Sequence, residues 1–245
     1  MAEALPSVKE AAAWMLQELE ARADAERARS SQRFFKEPIT CLGIDAPTMR
    51  RLAKEWVRRV HHWELAQAEA LCDVLMQHPA FEASMLGILV LGGFRKTYDR
   101  DLFFRIEPWV LHNLTNWALV DGFCSEVLSP LLAKHGDLER ELPRWMGDSS
   151  LWMRRAALVA LVPFARKGQR LDRVYELAVL ALPSAEDLMH KALGWLLREA
   201  GKTDAQRLET FLRQHCSQIP RTSVRYAIER FPETQRKHLL EATRS

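Results

Sequence analysis

Glycine is scarce in this 245-residue chain, at 10 residues, and tyrosine is scarcer still, at three. Strand-like runs of Val, Ile and Thr are also rare, which argues against sandwiches, barrels and other sheet-based folds. The four cysteines, Cys41, Cys72, Cys124 and Cys216, stand far apart and form no CxxC pair and no Cys/His ligand spacing. That pattern excludes a disulfide framework or a zinc module and suits a reducing compartment. No segment approaches 18 uncharged apolar residues, and Met1-Ala-Glu-Ala-Leu-Pro6 has no basic or apolar leader region. Neither a membrane span nor a secretory signal is therefore expected, and a cytoplasmic location is. A dominant charge is missing too, since 35 Lys+Arg against 32 Asp+Glu leave a net charge of +3. Bulk charge of that size does not identify a nucleic-acid partner; the placement of the charges has to.

What the chain does contain is Leu, Ala, Glu and Arg, all good helix formers. At 48% hydrophobic residues it can bury a sizeable core. Helical periodicity runs almost throughout, interrupted by Gly43-Ile44-Asp45-Ala46-Pro47, His78-Pro79 and Lys167-Gly168. Four helix starts align, at Phe81, Trp117, Trp152 and Leu188, with spacings of 36, 35 and 36 residues. Second helices fall between them, for example Leu171 to Leu182 and Leu138 to Met146. The third copy, Asp148-Ser-Ser-Leu-Trp-Met153-Arg154-Arg155-Ala156-Ala157, reads like a HEAT repeat, with Asp148 placed to cap its helix. A helix pair cannot bury its apolar face alone, so successive pairs are expected to stack into an all-α, HEAT-like solenoid. No linker divides the chain, which reads as one domain over residues 1–245.

The repeat register sets residues of successive copies on equivalent faces. Positions i, i+3, i+4 and i+7 share one side of a helix. The second copy puts Trp117, Val120, Asp121 and Cys124 there, the third Trp152, Arg155, Ala156 and Val159, and the fourth Leu188, Lys191, Ala192 and Trp195. Trp at helical spacing is commonly core, so Trp117 either packs inside or faces a groove. Arg155 either bridges adjacent repeats or serves a ligand, with Arg154 beside it expected in solvent. Lys191 reads most simply as a surface lysine. Asp121 lies mid-helix among apolar residues, so it either pairs with a cation or faces open space. Elsewhere, Arg50, Lys54 and Arg58 make a positive stripe on a helix opened by Pro47, suited to a phosphate backbone or to plain solvation. Arg221, Arg225 and Arg230 follow Pro220, and the pair His61 and His62 shows no ligand pattern.

Several of these segments resemble the AlkD-like family of bacterial DNA alkylation repair glycosylases. The carriers are Phe34-Phe35-Lys36-Glu37-Pro38-Ile39 with Leu42-Gly43-Ile44-Asp45-Ala46-Pro47, Asn116-Trp117-Ala118-Leu119-Val120-Asp121, Trp152-Met153-Arg154-Arg155-Ala156, Lys191-Ala192-Leu193-Gly194-Trp195, and Pro220 to Ile228. Together they span roughly Phe34 to Phe231. The resemblance implies a superhelix with a basic concave groove for duplex DNA. It also implies hydrolysis of the N-glycosidic bond of cationic N3- or N7-alkyl purines. It assigns the catalytic carboxylate to Asp121, the cleft indoles to Trp117 and Trp195, and a phosphate contact to Arg155. Arg50 and Lys54 fall on its DNA-contacting helix, with Lys191 and Trp152 added to the DNA surface. One departure is Ala46, where the family usually has Thr, which is expected to remove a helix cap and a phosphate contact. No metal and no cofactor are expected, and the partner is alkylated duplex DNA bound by a monomer. The alternatives are a HEAT-like DNA-binding protein without excision activity and a protein scaffold.

Overall fold

The computed structural model describes residues 6–243, and among these every regular element is helical. The chain forms two compact units, one ending at Lys134 and the other beginning at His135. The first unit contains α1 (Val8–Glu20), α2 (Ala25–Ser31), α3 (Ala46–Arg59) and α4 (Leu65–Met76). It continues with α5 (Phe81–Gly93), α6 (Leu102–His112), α7 (Trp117–Phe123) and α8 (Ser129–Lys134). The second contains α9 (Leu142–Met146), α10 (Leu151–Val159), α11 (Val162–Ala165) and α12 (Leu171–Ala181). It closes with α13 (Asp187–Gly201), α14 (Ala205–Gln214), α15 (Arg221–Ala227) and α16 (Glu233–Ala242).

The aligned repeat starts correspond to real helix starts. Helices α5 and α7 open at Phe81 and Trp117, while α10 and α13 open one residue early, at Leu151 and Asp187. The expected helix from Leu171 is α12, with Leu182 as its C-cap. The expected helix from Leu138 to Met146 is instead broken into a 3-10 turn, Gly136–Glu141, followed by α9. Pro143 lies in the first turn of α9 and has no N–H to give the preceding turn, so the helix has to restart there.

Two caps differ from the sequence-based expectation. Ser150, not Asp148, caps α10, its side chain accepting from the Met153 N–H. The Asp148 carboxylate accepts the Ser150 N–H at 2.7 Å, holding the turn one step upstream. Ala46 does not leave α3 uncapped either. Asp45, one residue earlier, accepts the Thr48 N–H at 2.8 Å, and Pro47 occupies the first turn.

Each unit is built around one central helix, and the one in the first unit is apolar almost all round. In the first unit this is α5, packed against α1, α3, α4 and α7, with Leu86, Ile88 and Leu91 fully buried. Each such side chain contributes about 1.5–3 kcal/mol through burial. In the second unit it is α13, packed against α10, α11, α12, α14 and α15. A Cβ on Gly194 of α13 would stand 2.5 Å from the Tyr226 Cβ and 2.8 Å from the Ser223 carbonyl oxygen. Glycine there is what lets α13 and α15 touch backbone to backbone. No helix among the described residues is long and apolar enough to cross a membrane.

Candidate active site and nucleic-acid interface

In the first unit the site residues sit on α7 and α3. Asn116 starts α7, its side-chain oxygen accepting the Ala118 and Leu119 N–H groups at 3.1 and 3.0 Å. That cap places Trp117 at the first helical position and Asp121 one turn later, on the same face. Val120 and Phe123 turn inward and are fully buried, whereas Trp117 and Asp121 are half-buried at the edge of the core. A π-helical turn, Cys124–Leu128, follows directly, with the Ser129 N–H reaching back to the Cys124 carbonyl. Such a widened turn is a recurrent feature beside functional side chains.

The Trp117 indole is held from two sides. Its N–H donates to the Phe34 carbonyl at 3.3 Å, and the Phe35 ring stacks on it at 5.4 Å with 21° between the planes. Phe35 in turn meets Phe81 at the start of α5, 6.3 Å between centroids. Phe34 itself is 60% exposed, with the Arg33 guanidinium 4.8 Å from its ring centre. Trp117 is therefore neither a sealed core residue nor a loose surface one. Phe34 and Phe35 belong to a segment that the sequence motif contains, but nothing in their local pattern assigns them to the indole 82 and 83 residues away.

On α3, Met49, Leu52, Ala53 and Trp56 face the core, which leaves Arg50, Lys54 and Arg58 on the exposed side. None of these three forms an ion pair with an acidic group among the described residues. The Asp45 carboxyl at the start of this helix is held below its usual range, chiefly by the Thr48 N–H.

In the second unit the site residues sit on α10 and α13, which pack together. Trp152 is half-buried in the first turn of α10. Arg155 is only 5% exposed, and its Nη1 donates to the Leu188 carbonyl of α13 at 2.6 Å. The inter-repeat bridge weighed for this arginine is thus present. Arg154 was expected in solvent and is instead tied down. Its Nη1 donates to the Asp148 and Ser149 carbonyls at 2.8 and 2.9 Å, and its Nη2 to the Glu186 carboxylate. These acceptors are loop groups upstream of α10 and α13, which a helix-face argument does not include.

Trp195 is half-buried on α13, and Lys191, one turn earlier, pairs with Asp187 at 2.9 Å. Both partners of that pair are 40% exposed, so it adds little stability and leaves the ammonium within reach of an anion. On α15, Arg221 is half-buried and donates to the Leu240 carbonyl, while Arg225 is exposed. Arg230 lies beyond the end of α15. Among the described residues no three His, Cys, Asp or Glu side chains gather as a metal-binding set.

A comparison with curated proteins finds no match. Among solved structures, the chain is similar to one named as a predicted DNA alkylation repair enzyme from Enterococcus faecalis. The two are 20% identical, with a TM-score of 0.75 over 86% of this chain and 97% of that one. At that identity the likeness establishes the fold, an all-α helical-repeat architecture. The family model described as DNA alkylation repair enzyme matches residues 15–231, and the chain belongs to that family.

Proposed function

We propose that this protein is a DNA glycosylase that hydrolyses the N-glycosidic bond of cationic N3- or N7-alkyl purines in duplex DNA. The observation that carries the reading is the pairing on α7 of an indole and a carboxylate, Trp117 and Asp121. They lie one turn apart and are both half-buried, and the indole is backed by Phe35. An alkylated purine already bears positive charge and departs as a neutral base, so little acid catalysis is needed. The demand is to stabilise an oxocarbenium-like sugar and to bring up water.

Asp121 supplies the opposing charge, orients the water and takes up its proton as the new C–O bond forms. The Trp117 ring face attracts the cationic sugar and base by about 0.5–2 kcal/mol, and Trp195 is the second unit's candidate for a cation-facing indole. Arg50 and Lys54 on α3, and Lys191 and Trp152 in the second unit, serve the phosphate backbone and the duplex surface. A phosphate contact is part of the same reading for Arg155. In this reading the protein acts as a monomer without a metal or cofactor, wherever the cell keeps its DNA, and residues 1–245 work as one domain.

The test is release of free base from duplex DNA carrying 7-methylguanine or 3-methyladenine, measured chromatographically. Base release by the wild-type protein supports the reading. Salt-dependent DNA binding with no release from either substrate would overturn it in favour of a binding protein.

A further inference from the structure

Glu82 is a carboxylate buried to 2% exposure, and among the described residues its partners are not cations but three successive backbone N–H groups. Its Oε2 accepts from Leu42 at 2.8 Å, and its Oε1 from Gly43 at 2.8 Å and Ile44 at 3.2 Å. These groups belong to the segment joining the turn at Phe34 to α3. The same segment is gripped at Thr40, whose carbonyl accepts the Phe81 N–H at 2.8 Å. It is gripped again at Leu42, whose carbonyl accepts the Asp24 N–H at 2.8 Å. It lies so close to α2 that a Cβ on Gly43, which has φ +81°, would stand 2.2 Å from the Asp24 carbonyl oxygen.

The upstream part of this segment is what touches Trp117, through the Phe34 carbonyl and the Phe35 ring. The first two residues of α5 thus fix both parts, Glu82 through the backbone of 42–44 and Phe81 through the Phe35 ring. A buried carboxylate taking three backbone N–H bonds is rigid in direction.

We propose that Glu82 is a positioning residue that sets the orientation of the Trp117 indole by clamping residues 42–44. The proposal rests on the reading of Trp117 as a ligand-facing indole only for its catalytic consequence. Glutamine at position 82 keeps the size but puts an NH2 group where one N–H donor now finds an oxygen, so at least one of the three bonds is lost. The segment then relaxes, and the indole loses its defined tilt.

The test uses the full chain labelled with 5-fluorotryptophan at its eight tryptophans, with the Trp117 fluorine resonance assigned through Trp117→Phe. In Glu82→Gln the Trp117 resonance should shift while that of Trp145, sealed in the core of the second unit, stays in place. On methylated duplex, kcat should fall about ten- to hundredfold, as expected for a misplaced group, with DNA affinity held within about twofold. An unmoved Trp117 resonance, or displacement of all the resonances together, would overturn the proposal. Should Glu82→Gln fail to fold, Glu82→Asp keeps the charge but draws the carboxylate back by one methylene, out of reach of all three N–H groups at once. It must move the Trp117 resonance while that of Trp145 stays in place, and an unmoved Trp117 signal sinks the idea equally. The resonances are read without DNA, so a wild-type protein inactive on alkylated duplex would defeat the glycosylase reading and leave this result standing.

Discussion

The Arg155 guanidinium donates to the backbone carbonyl of Leu188 at 2.6 Å, linking α10 to the beginning of α13 from a position only 5% exposed. One arginine therefore does structural work between successive repeats in addition to the phosphate contact proposed for it. Arg155→Ala removes this charge-assisted hydrogen bond and leaves a gap in the buried space the side chain filled, which costs about 2 kcal/mol. For a chain of this size that lowers Tm by roughly 4–8 °C. Calorimetry checks it, and an unchanged Tm would reduce Arg155 to a ligand contact. Arg155→Lys should recover only part of the loss, because an ammonium lacks the planar fork.

Asp121→Asn should reduce base release by about a hundredfold or more while duplex affinity stays within a few fold. Asparagine has nearly the same shape but carries no charge to oppose the sugar cation and accepts no proton. Single-turnover base release beside a binding titration separates the two effects. Retained release in the asparagine variant removes this carboxylate from the mechanism.

Arg50 and Lys54 stand exposed on α3 without an acidic partner among the described residues. Replacing either with Ala should weaken binding to duplex of any sequence. It should also flatten the slope of log K against log salt by about 0.9 per lost phosphate contact. Slopes identical to wild type would make this stripe a merely solvated face.

Glu199 gives the second unit a definite pH response. Burial at 1% exposure works to raise its pKa, but Lys202 at 2.7 Å and Arg166 at 2.9 Å prevail and hold it below the ordinary glutamate value. A carboxyl depressed in the folded state adds stability in full above its unfolded pKa, near about 4.3. That contribution is lost as pH falls through the folded value. Glu199→Gln should therefore melt lower than wild type at pH 7, with the gap closing below about pH 4. Melting curves across that range test it, and a gap that stays constant with pH would refute the assignment.

The helical class, the repeat spacing and the pairing of Trp117 with Asp121 were legible because each depends on neighbours within one or two turns. Apolar spacing reports which side of a helix faces inward, and four residues of separation bring two side chains onto one face. For the same local reason the starts of α5 and α7 are read to the residue. The break before α9 is local too, but it hinges on the missing N–H of Pro143, which apolar periodicity passes over.

Partner choice was not legible. Glu82 meets N–H groups about 40 residues away, Arg154 turns from solvent to loop carbonyls, and the Trp117 indole binds a carbonyl 83 positions distant. No periodicity encodes such pairings. The residues of this chain determine by themselves that it forms helices and which faces those helices bury. Only the folded chain, by bringing distant segments to hydrogen-bond range around α5 and α13, decides which polar groups hold the candidate site in place.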